Sequence, residues 1–214
     1  MILFLDTVSS LPEFSIIEDN NIVYTRQILS NQNDKMSDLL IPSYLKLEKK
    51  FDLNVKLKLL VINTGPGSYT ALRIGIAFFS GLSLSQNIKL IGISCMDLFR
   101  FIIPENKFIN SAIYIASSNN QNFIGIFNLK ENLFKIKKIE KNLTLDSQKI
   151  DLSSINKIYA NQSLANENKK IISQTDIEVV KFSNIINENI NQIKDLKKSD
   201  IIQPIYFSNN EILN

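Results

Sequence analysis

Hydrophobic and polar residues follow two different periods along this chain, and the points where the period changes mark its elements. Ile2 to Leu5 is a short apolar run that ends in the polar stretch Asp6-Thr7-Val8-Ser9-Ser10. Glu13 to Glu18 and Ile22 to Leu29 flank Asp19-Asn20-Asn21. Asp and Asn suit a tight hairpin turn, so the chain is expected to open with a three-stranded antiparallel meander. From Ser37 to Phe51 the apolar residues Leu39, Leu40, Tyr44, Leu45 and Leu47 recur at helical spacing. Ser37 or Asp38 stands where it would cap that helix. Leu57 to Ile62 reads as a buried strand, Thr70 to Leu84 as a helix apolar on nearly every side, and Lys89 to Ile93 as another short strand. Ser94 is placed to cap a helix that runs toward Ile103 and stops at Pro104. The first half therefore reads β-β-β-α-β-α-β-α, a mixed sheet flanked by helices.

The second half repeats the opening pattern. Ala112 to Ala116, Phe123 to Leu129 and Leu133 to Ile139 read as strands, with the polar turn Ser117-Ser118-Asn119-Asn120-Gln121-Asn122 between the first two. Lys157 to Ala160 and Ile177 to Phe182 read as further strands, separated by the polar segment Asn161 to Gln174. Ile185, Ile186, Ile190 and Ile193 predict one amphipathic helix, and Ile201 to Phe207 an extended apolar tail. Pro104 and the polar residues after it predict a boundary between units 1–104 and 105–214. The strand–hairpin start of each half points to two related structural units.

The strand-to-helix junction Asn63-Thr64-Gly65-Pro66-Gly67-Ser68-Tyr69-Thr70 is the most distinctive stretch. Three of the six glycines, Gly65, Gly67 and Gly75, fall within eleven residues. A strand feeding a helix through such a loop presents free backbone N–H groups at the helix start. Glycine also lets a ligand or a packed element approach the backbone. The stretch is neither a P-loop nor a dinucleotide fingerprint, because the lysine and the third spaced glycine are missing. Two readings stay open on chemistry alone, an anion cradle and a structural turn. Arg73, one turn into the helix, is placed to meet a phosphate or a partner's carboxylate, or to stand as an ordinary surface arginine. Asp6, Thr7, Ser9 and Ser10 resemble the first phosphate loop of actin-like and sugar-kinase ATPases. Those loops carry a glycine that is missing between Asp6 and Ser10, so efficient ATP cradling is not expected.

Composition narrows the chemistry. The 214 residues are 44% hydrophobic, enough for a core, and carry a net charge of only +3, which by itself does not argue for nucleic acid. The richness in Ile, Asn and Lys reads as base-composition bias. The absence of histidine excludes His-based triads, His metal sites and His general bases. A single cysteine, Cys95, lies in an apolar stretch and reads as a small buried hydrophobe rather than a nucleophile. No run of about 18 apolar residues predicts a membrane span. The N-terminus reads as a strand of a cytoplasmic protein without a leader. Lys137-Lys138 and Lys169-Lys170 read as solvated faces.

The combination of Ile2-Leu3-Phe4-Leu5-Asp6-Thr7, Leu40-Ile41-Pro42, Thr64 through Gly75, and Ile91-Gly92-Ile93-Ser94 resembles the TsaB (YeaZ) family, and Gln203-Pro204-Ile205-Tyr206 is similar to that family's Pro-x-Tyr tail. The match is strong over residues 1–100 and thin afterwards. The resemblance implies an α/β fold of two actin-like, ribonuclease-H-like subdomains. It implies a noncatalytic partner in making threonylcarbamoyladenosine next to the tRNA anticodon. That partner pairs with a TsaD-type catalytic paralogue, which binds a metal through histidines, and lets a TsaE-type ATPase join. It also implies self-association of the lone chain through the same helices, and contact with tRNA only through the complex. No catalytic residue, cofactor, metal or membrane is then expected. The partner interface is expected at Leu40, Tyr44, Leu72, Arg73, Ile76, Ala77, Ser80 and Gly81, and Asp6, Thr7, Gly65, Gly67 and Ser68 are weak nucleotide-loop candidates. Met36-Ser37-Asp38 stands where many members have His-Ser-Glu, and Ser117-Ser118-Asn119 where members often have Asp-Ala-Arg. The rival readings are an actin-like ATPase or small-molecule kinase using Asp6 and the Gly65–Ser68 loop, and a direct RNA-binding module.

Overall fold

The computed structural model describes residues 1–31, 33–117, 121–139, 150–163, 175–197, 201–208 and 211–213. The expected turn at 118–120, most of the polar segment (164–174) and Lys169-Lys170 lie outside the described residues.

Two five-stranded sheets organise the chain. In the first, β1 (Ile2–Asp6), β2 (Glu13–Glu18) and β3 (Asn21–Gln27) form the antiparallel meander, and β4 (Leu59–Asn63) and β5 (Lys89–Ile93) run parallel to β1, in the order β3-β2-β1-β4-β5. In the second, β6 (Ser111–Ala116), β7 (Asn122–Asn128) and β8 (Leu133–Ile139) make another antiparallel meander. Strands β9 (Lys157–Ala160) and β10 (Asp176–Val179) run parallel to β6, giving β10-β9-β6-β7-β8. Order and direction are the same in both sheets, which the similar opening patterns of the two halves foreshadow.

Local chemistry explains most element ends. Asp19 and Asn20 sit at φ 49° and 60°, the left-handed pair that a two-residue hairpin with native twist requires. Helix α1 (Met36–Phe51) ends on Asp52 at φ 53°, and α3 (Tyr69–Gln86) on Asn87 at φ 52°; in each the capping N–H donates back to a carbonyl of the last turn, Glu48 and Ser83 respectively. A short α2 (Leu53–Lys56) separates α1 from β4. The expected Ser94 cap of α4 (Cys95–Ile102) is present, its hydroxyl accepting from the Asp97 N–H at 3.1 Å. The expected cap of α1 is not. The helix already begins at Met36, so Ser37 and Asp38 lie inside its first turn, and the Ser37 hydroxyl donates to Asp38 at 2.7 Å instead. Phe182 opens a helix rather than closing β10, and the single amphipathic helix expected around it is two pieces, α5 (Phe182–Glu188) and α6 (Ile190–Asp195). Asn189 makes the break: its φ of −110° and ψ of 19° leave the helical region while its side chain donates to the Ile185 carbonyl at 2.9 Å.

The core is layered. Leu3, Leu5, Leu60 and Ile62 face α1 and α3 on the outer side of the first sheet. Ile2, Phe4, Val61 and Ile91 face inward, where Leu98 and Phe99 of α4 and Phe182, Ile185 and Ile190 of α5 and α6 fill the space up to Ile113, Ile115 and Tyr159 of the second sheet. Burying alternate side chains on both faces makes β1 and β4 apolar up to their last residues, Asp6 and Asn63, as central strands flanked by helices should be. Helices from both halves thus form one shared middle layer.

Candidate functional site

The two loops at the carboxyl ends of β1 and β4 meet, and they are closed by their own chain. Asp6 is buried, and its Oδ1 accepts the N–H groups of Val8 at 2.8 Å and Ser9 at 3.2 Å. Burial pushes its pKa up to about 6, against the pull of those hydrogen bonds and with a smaller contribution from the charge of Glu13. Asn63 ends β4 and folds back, its Oδ1 accepting from the Gly65 N–H at 3.1 Å and the Cys95 thiol at 3.3 Å. The Gly65 carbonyl accepts from the Cys95 N–H at 2.8 Å. Burial drives the Cys95 thiol well above its ordinary pKa, which makes it an inert core residue, as its apolar setting in the chain implied.

Each glycine of the junction makes room for protein. Gly65 sits at φ 107°, and a Cβ there would stand 2.9 Å from the Ile205 carbonyl. At Gly67 a Cβ would lie 3.3 Å from the Val8 Cα and 3.4 Å from the Ser117 hydroxyl. At Gly75 it would strike the Thr7 methyl at 2.7 Å, so α3 lies directly on the first loop. Ser68 precedes α3 but makes no side-chain cap. These contacts do not fit a phosphate group. Asp6 Oδ1 is turned into the backbone, and the space beside Gly67 is filled by Val8. Asp6, Thr7, Gly65, Gly67 and Ser68 are brought together as expected, in a packed joint.

The second unit closes the same joint. Ser9 and Ser117 form an antiparallel bridge. Asn161, just past β9, accepts from the Ala116 N–H at 2.8 Å and donates both to the Ala116 carbonyl at 2.9 Å and to the Ser9 hydroxyl at 3.0 Å. Asn161 lay in a stretch expected only to be polar; its position one residue after a strand, like that of Asn63 at the end of β4, is the signal that marks it.

The outer face of the first sheet presents a different surface. Of the expected interface residues, Leu40, Tyr44 and Ile76 are buried in the layer between the helices and the outer side of the sheet, and Leu72 is buried with Val8 and Val61 in the inner core. For Leu72 and Ile76 the physical reason is that α3, apolar on nearly every side, carries no polar face to reveal which side the sheet takes. Arg73, Ala77 and Gly81 are exposed, Ser80 half-buried, and no atom lies within 4 Å of where a Gly81 Cβ would stand. Leu84, 81% exposed, continues that stripe, and Ile41 (52%) and Leu45 (54%) present an apolar edge on α1. Tyr44 and Phe78 rings, 5.1 Å apart, hold α1 and α3 side by side. Ile41 with Leu45, and Ala77 with Gly81 and Leu84, are spaced so that each set shares one helix face, although spacing alone does not tell an exposed face from a buried one. Arg73 is flanked by Tyr69 and Tyr206, which composition did not mark.

A family model described as TsaD, tRNA N6-adenosine threonylcarbamoyltransferase, matches residues 31–183. The tRNA threonylcarbamoyladenosine biosynthesis protein TsaB of Buchnera aphidicola subsp. Schizaphis graminum (strain Sg) is 26% identical over 185 residues, 78% of this chain and 87% of that protein. The chain belongs to this family, as a member of TsaB (YeaZ) type. Two Pseudomonas aeruginosa structures share the TsaB-type fold. One is described as an uncharacterized protein with similarity to peptidase YEAZ, and covers 96% of this chain and 98% of its own with a TM-score of 0.58 at 12% identity. The other, YeaZ, covers 96% and 99% with a TM-score of 0.55 at 12% identity. The fold is the α/β one expected, two actin-like subdomains with mixed sheets flanked by helices. Among the described residues no three His, Cys, Asp or Glu side chains stand together where they would hold a metal, and no helix is long and apolar enough to cross a membrane.

Proposed function

We propose that this chain is a noncatalytic scaffold that pairs with a TsaD-type catalytic subunit in threonylcarbamoyl transfer to the adenosine next to the tRNA anticodon. The observation that carries this reading is the contrast between its two candidate sites. The loop joint is filled by protein, whereas α3 exposes Ala77 and Gly81, side chains short enough for another helix to approach its backbone closely, beside the apolar Ile41, Leu45 and Leu84. A chain without histidine has no His-based triad and no His metal site for the peptidase chemistry that one Pseudomonas structure is named for similarity to. In this reading the same surface pairs two copies when the chain is alone. A TsaE-type ATPase joins the assembled complex, tRNA is met only there, and all of this takes place in the cytoplasm. Residues 1–104 and 105–214 are the two subdomains, with α5, α6 and the tail crossing back onto the first.

Mixing with the cognate TsaD-type protein tests it. A stable heterodimer on gel filtration is expected, and Ala77→Arg or Gly81→Arg, which puts a long charged side chain into the close contact, should abolish it. Failure to form any complex, or a complex indifferent to both changes, sinks the scaffold. Tight ATP binding with turnover lost in Asp6→Ala would put the ATPase reading in its place.

A further inference from the structure

Arg73 is the only charged residue in the eighteen of α3, and it stands on the exposed stripe with Ala77 and Leu84. Its guanidinium is held in place from two sides. Nε donates to the Tyr206 hydroxyl at 2.8 Å, and the guanidinium carbon lies 4.0 Å above the centroid of the Tyr69 ring. The two tyrosine rings are themselves 4.5 Å apart, so the three side chains make one cluster. Tyr206 comes from the tail, which is fixed to the signature loop where the Ile205 N–H donates to the Thr64 carbonyl at 2.8 Å. Arg73 is exposed, and with Nε engaged its two terminal nitrogens remain as a fork for a further acceptor. Among the described residues no carboxylate lies within ion-pair distance of them.

An arginine fixed by stacking and by its inner nitrogen has lost its rotamer freedom before any partner arrives, and its outer edge matches a carboxylate in two parallel hydrogen bonds. We propose that the Tyr69–Arg73–Tyr206 cluster is a preorganised receptor for an Asp or Glu carboxylate on the partner protein, with Tyr206 as the residue that positions the fork. The inference rests on the scaffold reading and adds to it the chemistry that the partner must bring. A protein carboxylate is favoured over an RNA phosphate because α3 offers no second cation to follow a backbone of repeating charges, whereas the helix face beyond Arg73 is apolar and small, as a protein contact needs.

The test is calorimetric titration of the TsaD-type partner at low and high salt. Arg73→Gln should weaken binding at least about thirty-fold and flatten its salt dependence. Arg73→Lys, which keeps the charge but not the fork, should still lose about tenfold. Tyr206→Phe should weaken binding a few-fold with an unchanged melting temperature, and should add nothing in an Arg73→Gln background, which separates positioning from general support. If Ala77→Arg abolishes the complex while Arg73→Gln and Tyr206→Phe bind like the parent, the receptor is wrong and the scaffold stands. If the parent chain forms no complex, the scaffold fails and takes the receptor with it. If Arg73→Gln instead removes tRNA binding by the chain alone, the fork serves phosphate and the proposal is overturned.

Discussion

The two sheets have one strand order and one set of directions, yet their carboxyl ends are finished differently. Asn63 and Asn161 stand at nearly corresponding places, at the last residue of β4 and one residue past β9. Both oxygens accept protein donors, but Asn161 also satisfies its amide nitrogen, through Ala116 and Ser9, whereas the Asn63 nitrogen is buried without a partner among the described residues. At the ends of β1 and β6 the contrast is between buried Asp6 and the neutral pair Ala116-Ser117. A shared topology fixes where a loop must turn. The side chain placed there decides whether the turn becomes a latch between units or a strained charge within one.

The largest effect should come from breaking the latch. Asn161→Ala strands the buried N–H and carbonyl of Ala116, each costing about 1–3 kcal/mol, so urea denaturation should show a loss of about 3–5 kcal/mol. Asn63→Ala should cost clearly less, about 1–2 kcal/mol, because it also removes an unpaired donor. Equal losses would end the distinction between the two asparagines.

Next is Asp6. Its folded pKa of about 6 lies above its ordinary 3.8, so the folded chain holds more protons than the unfolded one between those values. Stability from this group is complete below 3.8 and is lost as pH rises through 6. Asp6→Asn keeps an oxygen for the Val8 and Ser9 N–H groups without the charge. It should be more stable than the parent by up to about 3 kcal/mol at pH 7.5, with the difference gone by about pH 4. A destabilised variant at pH 7.5 would show that the carboxylate contributes something the loop requires.

The smallest effects lie within α3. Gly75→Ala puts a methyl against Thr7 and should destabilise by about 1–3 kcal/mol, whereas Gly81→Ala points into open space and should stabilise by about 1 kcal/mol. Opposite signs six residues apart would separate the packed face of the helix from its free one; like signs would merge them.

The strands were legible because their apolar runs are short and bounded by turn residues, and β8 and β9 begin and end where the alternation does. The signature loop was legible as a turn, but its occupant was not. A glycine admits a phosphate or another loop equally well, and only the position of Val8 decides between them. On α1 the helix period was clear, while Leu40 and Ile41 look alike as letters and differ only in which faces the sheet. The clamp on Arg73 had no local trace, since its partner hydroxyl is 133 residues away.

That separation also sets an order of events. Residues 64 to 73 can fold against β4 and β5 once residue 93 is made, yet the bonds from Ile205 to Thr64 and from Arg73 to Tyr206 cannot exist until residue 206 has left the ribosome. During synthesis α3 therefore passes through an interval in which its arginine is loose and Gly65 uncovered. A partner that recognises the clamped form would discriminate against chains in which residues 205 and 206 have not yet docked on the signature loop.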